Sequence, residues 1–238
     1  MLNYQLLVKD AVEFFWNTRK KQSSKKVTNW KIDTWNRWAV TWWQQMNWFI
    51  DLLKVITKDC WVPDKYIYTK GNNLPWYFRP TKNWDFIIIS PQWKLIACIE
   101  LKSHVGSFGN NFNNRTEEAL WNALDIWTAY RENTFPDQAP PFVWYLMVAE
   151  KTAISVRKAK LQKTHFSVLE EFLDTSYLER YKLLCQKLMR ERHYTSTALI
   201  STSGAKHFEN LSEDISIETF LSSYKYYISS KIWDFNDL

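Results

Sequence analysis

Three side chains that could perform metal-assisted hydrolysis lie within eighteen positions of one another: Asp85, Glu100 and Lys102. Asp85 precedes an apolar stretch, FIII, and a short turn, SPQW, leads into a second one, KLIACIELK. Side chains alternate faces along a strand, so Glu100 and Lys102 share one face near the end of the second stretch. The opposite face carries Leu95, Ala97, Ile99 and Leu101. If the two stretches pair as a hairpin, we expect Asp85 to lie near Glu100.

Two carboxylates and one ammonium at one end of a sheet would form a metal site with a nearby charge. Carboxylates a few ångströms apart repel each other unless a proton or a cation lies between them. Oxygen ligands suit Mg²⁺, which keeps several waters and leaves room for a phosphate. A metal there polarises a phosphoryl oxygen and lowers the pKa of a bound water, which Lys102 could hold in line. The alternative is a strand that ends in a Glu-x-Lys pair on the surface, which is a common pattern.

Longer motifs surround these residues. The pattern D-x14-E-x-K resembles that of the PD-(D/E)xK nuclease superfamily. The stretches RPTKNWD, IELKS, VGSFGNNFNNRTEEAL and ALDIWTAYREN resemble the XhoI-like type II restriction endonucleases. Further similar stretches run from EFFWNTRKKQ to RYKLLCQKLMRERHY, so the resemblance covers most of the chain.

The resemblance implies both a fold and an activity. It implies an α/β fold with a restriction-endonuclease-like PD-(D/E)xK core, in which helices flank a mixed β-sheet. We expect one domain over residues 1–238 with its catalytic core at about 76–150. The implied activity is Mg²⁺-dependent cleavage of duplex DNA by a homodimer at a palindrome, CTCGAG in well-known members. Asp85, Glu100 and the Leu101 carbonyl would hold the metal, and Lys102 would position the water. A DNA methyltransferase in the same cell would protect the host.

Two groups of polar residues around the triad are candidates for DNA contact. Arg79 and Lys82 precede the first catalytic strand and are candidates for phosphate contacts, although loop cations are often only solvated. Ser103 to Arg115 is rich in Gly and Asn and is predicted to form a loop before a helix that begins at Thr116. Asn pairs with adenine and Arg with guanine in the major groove, and a CTCGAG half-site offers both bases. The candidates for base contact in this loop are Asn113, Asn114 and Arg115.

Composition sets broader limits. The chain has 238 residues and a formal net charge of +6, with a basic run at Arg19–Lys31 and another at Lys151–Lys163. Each run is either solvated surface or a phosphate contact. The sequence has no apolar run long enough to span a membrane and no order of residues typical of a signal peptide. Its three widely spaced cysteines predict a reduced, cytoplasmic protein with no structural metal.

Two weaker expectations concern the ends of the chain. Leu6 to Asn17 fits an amphipathic helix, and Glu13 on it is a candidate for assisting the metal. A solvent-facing glutamate is the alternative. The last third of the chain is predicted to be mostly helical.

Tryptophan and glycine occur in unusual proportions. The chain has 15 Trp and 4 Gly, whereas average usage predicts roughly 17 Gly. Beside the family pattern, ten tryptophans fall where glycine is expected: Trp35, Trp38, Trp42, Trp43, Trp48, Trp61, Trp76, Trp93, Trp121 and Trp144. UGA encodes Trp in some genetic codes and Gly in others, so our hypothesis is that these codons are decoded with the wrong table. The alternative is a protein that is truly rich in Trp.

Two other functions are compatible with the same residues. One is a DNA-binding protein that keeps the nuclease fold but has lost cleavage, which Gly-to-Trp lesions would favour. The intact triad argues against it. The other is a repair-type nuclease of the same superfamily, which the specific NNFNNR match disfavours.

Overall fold

A mixed six-stranded sheet forms the centre of the molecule in a computed structural model that describes residues 3–26 and 34–235. The helices are α1 (Tyr4–Lys26), α2 (Thr34–Asp59), α3 (Phe108–Arg131), α4 (Ala153–Val156), α5 (Tyr177–Arg190) and α6 (Ile217–Ser230). The strands are β1 (Ile67–Tyr68), β2 (Asn73–Pro75), β3 (Thr81–Asn83), β4 (Phe86–Ile89), β5 (Leu95–His104), β6 (Phe142–Glu150), β7 (Ser196–Gly204) and β8 (His207–Asn210). Three-residue 3₁₀ turns occur at Asp64–Tyr66 and Glu170–Phe172, and a four-residue one at Ile232–Phe235.

The sheet combines antiparallel edges with a parallel centre. Its strand order is β1-β4-β5-β6-β7-β8, and β2 and β3 form a separate two-stranded hairpin. The pairs β5–β6 and β6–β7 are parallel, while β1–β4, β4–β5 and β7–β8 are antiparallel. A parallel centre needs helices on both faces, and its strands are accordingly almost continuously apolar. Helices α1, α2 and α6 cover one face, and α3 and α5 cover the other. This confirms the predicted α/β class with a mixed, helix-flanked sheet.

The predicted hairpin is confirmed, with one irregularity. Strands β4 and β5 pair antiparallel from Phe86 opposite Ile99 onwards. The register shifts between Ile88 and Ile89, at the turn end of the hairpin. Because a one-residue slip reverses the face of every later side chain, Leu95 packs on the α3 side rather than with Ala97 and Ile99. The assignment of Leu95 to the Ala97 face was therefore wrong.

Helix α3 begins earlier than predicted. Residues 108–115 were expected in a loop, but they form the first two turns of α3. Phe108 and Phe112 lie one turn apart, and their rings pack against Tyr177 and Tyr181 of α5. These aromatic contacts outweigh the poor helix propensity of the Gly and Asn residues between them. The tight turn before the helix uses left-handed backbone at Gly106 and Ser107, with φ of 68° and 47°.

The last third is less helical than expected. Strand β7, STALISTSG, lies parallel to β6 with its first seven residues buried. Its Ser and Thr residues interrupt the apolar run that usually indicates a buried strand. Its β-branched side chains nevertheless suit a strand buried on both faces. Strand β8 then forms the far edge of the sheet.

Three further observations concern the cysteines, membrane spans and the first basic run. Cys60, Cys98 and Cys185 are buried free thiols. Within the described ranges, no helix is both long and apolar enough to cross a membrane. Of the first basic run, Lys31 lies outside the described residues, as do the side chains of Lys25 and Lys26.

Backbone conformation separates the ten suspect tryptophans into classes. Trp61 and Trp93 adopt left-handed backbone, with φ of 65° and 59°, and both indoles are 84% exposed. Trp48 and Trp121 instead lie in helices. Positive φ costs a residue with a Cβ about 1–2 kcal/mol and glycine almost nothing. Glycine would therefore suit the backbone at Trp61 and Trp93.

The remaining suspects are buried or undescribed. Trp76 and Trp144 are buried, and neither indole Nε1 has a hydrogen-bond partner within the described part of the chain. The same holds for Trp84, which is not among the ten suspects, so this feature does not identify a misdecoded codon. The side chains of Trp35, Trp38, Trp42 and Trp43 lie outside the described residues. The decoding hypothesis stays a prediction.

We expect Trp61→Gly and Trp93→Gly each to raise the free energy of unfolding by about 1 kcal/mol, because each relieves left-handed strain at an exposed turn. Trp121→Gly is the control, and we expect it to lower that free energy by about 1 kcal/mol because it places glycine inside a helix. Urea denaturation measures all three. Equal destabilisation by the three changes would contradict the backbone argument.

Candidate active site

Asp85 lies where β4 begins and completes the edge of β5. The last paired residue of β4 is Phe86, opposite Ile99, so β4 offers no backbone partner to Leu101. Asp85 replaces it, because the Leu101 N–H donates to its Oδ2 atom at 2.6 Å. In a strand, the N–H and C=O of one residue point to the same side. The Leu101 carbonyl therefore faces the edge that Asp85 occupies.

Glu100 is the most enclosed charge of the site. It projects from β5 on the α3 side and is 2% exposed. The Lys102 ammonium contacts its Oε1 at 2.6 Å, and the Lys82 ammonium contacts its Oε2. A buried carboxylate is tolerated when opposite charges and hydrogen bonds replace its water. The strand alternation that places Glu100 and Lys102 side by side is confirmed.

Lys82 lies within the site, in contact with Glu100, rather than beside it as a phosphate contact. It was predicted to contact phosphate, but its ammonium lies on Glu100 and above the Trp84 ring, 4.3 Å from the ring centre. The short β2–β3 hairpin brings it there. Arg79 lies at the tip of that hairpin, exposed, with its guanidinium 4.0 Å from the centre of the Trp76 ring.

The tip of the β2–β3 hairpin is fastened to α3. The carboxylate of Asp125 accepts the backbone N–H groups of Tyr77 and Phe78 at 2.5 and 3.1 Å. A carboxylate that accepts backbone N–H groups forms strong, charge-assisted hydrogen bonds. Asp125 therefore fixes the hairpin that delivers Lys82 to Glu100.

The two predicted metal-binding carboxylates have opposite pKa shifts. Burial, with the nearby charge of Glu100, raises the pKa of Asp85 from 3.8 to about 7. Burial also acts to raise the pKa of Glu100, but the Lys102 and Lys82 ammonium groups outweigh it and hold that pKa below its ordinary value. Pairs of carboxyl groups whose environments push their pKa values apart are typical of functional sites. Without a cation, a proton on Asp85 relieves the repulsion.

Lys102 keeps its charge. Burial would lower its pKa, but Glu100, Glu118 and Asp85 together raise it above the ordinary lysine value. An ammonium in this position can donate hydrogen bonds and offset negative charge, but it cannot accept a proton.

Glu118 of α3 belongs to the site and was not predicted. Its Oε1 atom accepts from Lys102 at 2.7 Å, and its Oε2 atom accepts from Arg115 at 2.7 Å. A helix beginning at Thr116, as predicted, would place Glu118 in its first turn. Because α3 begins at Phe108, Glu118 instead lies in the third turn, one turn beyond Arg115. The (i, i+3) spacing of Arg115 and Glu118 was the available signal.

The remaining candidates are the three DNA-contact residues on α3 and the acid on α1. Asn113 and Asn114 are exposed on the second turn of α3, and Arg115 is half-buried beside them. They are helical rather than in the predicted loop. Glu13, the acid on α1 considered for the metal, is paired with Lys206 at 3.2 Å, and no contact joins it to Asp85 or Glu100 among the described residues.

The donor set fits a magnesium ion. Asp85 and Glu100 supply carboxylate oxygens, and the Leu101 carbonyl faces the same edge. Over residues 3–26 and 34–235 no group of three His, Cys, Asp or Glu could hold a metal ion by itself. A site with few protein ligands is what Mg²⁺ takes, because it keeps waters and binds substrate phosphate in the other positions.

Comparisons with known proteins identify the family. The sequence profile of the Restriction endonuclease XhoI family matches residues 25–212. The chain is 38% identical over 221 residues to the type II restriction enzyme BstVI of Geobacillus stearothermophilus, covering 89% of this chain and 96% of that one. It is 39% identical over 193 residues to the type II restriction enzyme XhoI of Xanthomonas vasicola, covering 79% and 77%. It is 38% identical over 169 residues to AbrI of Azospirillum brasilense, covering 70% and 75%. No solved structure matches the chain.

The raised pKa of Asp85 makes stability depend on pH. A carboxyl whose pKa is higher in the folded state stabilises the fold at low pH, and this contribution is lost as the pH rises from about 4 to about 7. In EDTA, we therefore expect Asp85→Asn to raise the melting temperature above wild type at pH 8 by at least about 2–4 °C, and by less at pH 5. Mg²⁺ should raise the wild-type value at pH 8 and leave Asp85→Asn unchanged.

Thermal melts at the two pH values measure this effect. Asp137→Asn, which changes an exposed aspartate, is the control. If the melting temperatures of wild type and Asp85→Asn changed in parallel with pH, the raised pKa of Asp85 would be contradicted.

Proposed function

This chain belongs to the XhoI restriction endonuclease family, and on that premise we propose that it is a type II restriction endonuclease. It hydrolyses phosphodiester bonds in duplex DNA at a short palindrome, with CTCGAG as the expected sequence and Mg²⁺ as the metal. The observation that carries this proposal is the buried cluster of Asp85, Glu100 and Lys102 at the open end of the β4–β5 hairpin.

Each residue of the cluster has a role in the proposed reaction. Asp85, Glu100 and the Leu101 carbonyl hold the metal, which when bound polarises the phosphoryl oxygen and acidifies a bound water. Lys102 donates to the attacking water and holds it in line with the scissile bond. Because Lys102 keeps its proton, it positions the water and balances charge rather than acting as a base.

The cluster places three cations around its carboxylates. Lys82, Lys102 and Arg115 form ion pairs with Glu100 and Glu118, and Asp85 lies beside Glu100. With a divalent metal held by Asp85 and Glu100, the site would be electropositive before attack and would stabilise the negative charge that develops on the phosphoryl group. Because Lys102 keeps its own proton, the proton of the attacking water would leave to solvent.

DNA contact is assigned to the surface next to this cluster. Asn113 and Asn114 are exposed on the α3 turn that adjoins Arg115, and a helix with Asn and Arg at its N-terminal turns can read bases in the major groove. Arg79 at the hairpin tip is assigned a phosphate contact. With a metal held by Glu100, Lys82 would take the same role.

The biological setting follows from the target. A palindrome is matched by a homodimer with two-fold symmetry, in which each subunit cuts one strand. The enzyme acts in the cytoplasm beside a DNA methyltransferase that modifies the same sequence and so protects the host.

Glu100→Ala removes a metal ligand, so we expect it to abolish cleavage of a plasmid with one CTCGAG site while specific binding stays measurable. Wild type should produce a discrete cut with Mg²⁺ and none with EDTA. Gel digestion and a binding titration in Ca²⁺ measure the two properties. Cleavage by Glu100→Ala at the wild-type rate would refute the site. Binding without cleavage by wild type would identify an inactive DNA-binding protein instead.

Arg115→Ala tests the recognition surface. We expect it to weaken cognate binding by about 1–3 kcal/mol and to affect non-specific binding less, because a base contact carries sequence information and a phosphate contact does not. Arg131→Ala, at the opposite end of α3, is the control. Equal losses on both DNAs would make Arg115 a phosphate contact.

A further inference from the structure

Glu118 has an unusual position between two functional regions. One of its carboxylate oxygens binds Lys102 of the catalytic cluster, and the other binds Arg115 of the recognition surface. Both contacts are 2.7 Å long, and both cations are largely buried, with side-chain exposures of 18% and 23%. An exposed surface ion pair contributes little, but these contacts are shielded and share one carboxylate.

Lys102 differs from Lys82 in its number of anchors. Both ammonium groups contact Glu100 in the metal-free site. Of these two lysines, only Lys102 has a second carboxylate among the residues that the structure describes, and that carboxylate is Glu118. The other contacts of Lys82 are the backbone carbonyl of Asn83, at 3.3 Å, and the faces of the Trp84 and Trp76 rings.

Metal binding separates the two lysines. When Glu100 becomes a metal ligand, its negative charge is shared with the metal and attracts both ammonium groups less strongly. Lys82 would then keep the Asn83 carbonyl and the ring faces of Trp84 and Trp76 but no carboxylate. Lys102 keeps Glu118. A long lysine side chain has a flexible four-carbon stem, so a second anchor decides whether the ammonium stays in a productive position.

We propose that Glu118 is a positioning residue that holds Lys102 in line for attack and links it to DNA contact through Arg115. The proposal rests on the function assigned above. Because Arg115 and Lys102 share one carboxylate, any movement of Arg115 on cognate DNA changes how Glu118 holds Lys102. The catalytic lysine is thereby sensitive to whether the recognition helix is engaged.

The test compares Glu118→Gln with Glu117→Gln. Both change one acid of the same helix turn to its neutral isostere, and Glu117 is exposed to solvent. Under single turnover with Mg²⁺, we expect Glu118→Gln to cleave cognate DNA at least about tenfold more slowly, because a misplaced group costs rate rather than binding. Its Kd for cognate DNA in Ca²⁺ should stay within about twofold of wild type. For Glu117→Gln, both the cleavage rate and the Kd should stay within about twofold of wild type. Glu118→Asp, which keeps the charge, should recover part of the rate.

Two results would overturn the proposal. One is cleavage by Glu118→Gln within about twofold of wild type. The other is a weaker Kd with an unchanged cleavage rate, which would mean that Glu118 acts on Arg115 alone.

A second measurement does not require cleavage. With Mg²⁺ present, acylation of Lys102 by an amine reagent, followed by peptide mass spectrometry, reports how firmly its ammonium is held. We expect Lys102 to be labelled several-fold faster in Glu118→Gln than in wild type or Glu117→Gln. Equal labelling in all three proteins would refute positioning. If wild type does not cut DNA, the proposed function fails, and the labelling result still decides the role of Glu118.

Discussion

The buried carboxylate of Glu100 is the constraint on which the rest of the site depends. A charge with 2% exposure is stable only if other groups replace its hydration, and two ammonium groups do so. One of them, Lys102, comes from the same strand. The other, Lys82, comes from a separate hairpin that α3 holds through Asp125. The arrangement of β3, β5 and α3 around one point follows from this requirement.

The end of the β4–β5 ladder brings the predicted metal ligands to one edge of β5. Strand β5 continues beyond its last partner on β4, which leaves the backbone of Leu101 unpaired at that edge. Asp85 satisfies the N–H group, and the carbonyl oxygen faces the same edge. A buried backbone group without a partner is costly, so a carboxylate at this position serves both the fold and the chemistry. The raised pKa of Asp85 is the cost of burying it, to which the nearby charge of Glu100 adds.

The tryptophans illustrate how backbone conformation tests a question that composition only raises. A surplus of Trp and a deficit of Gly in the sequence suggested misdecoded codons, and the family resemblance singled out ten positions without ranking them. The left-handed backbone at Trp61 and Trp93 distinguishes them, because a Cβ is strained there and glycine is not. Trp121 lies in regular helix, where glycine would reduce stability.

The sequence by itself determined the β4–β5 hairpin, because strand alternation and local spacing are enough to place Asp85, Glu100 and Lys102 together. It did not determine where α3 begins, since the contacts of Phe108 and Phe112 with α5 override the local preference of a Gly- and Asn-rich segment. It did not reveal β7, whose burial depends on its neighbours. The places of Lys82 and Glu118 were decided only by tertiary structure. Lys82 meets Glu100, and Glu118 meets Lys102, only when separate elements pack together, and the (i, i+3) spacing connects Glu118 to Arg115 alone.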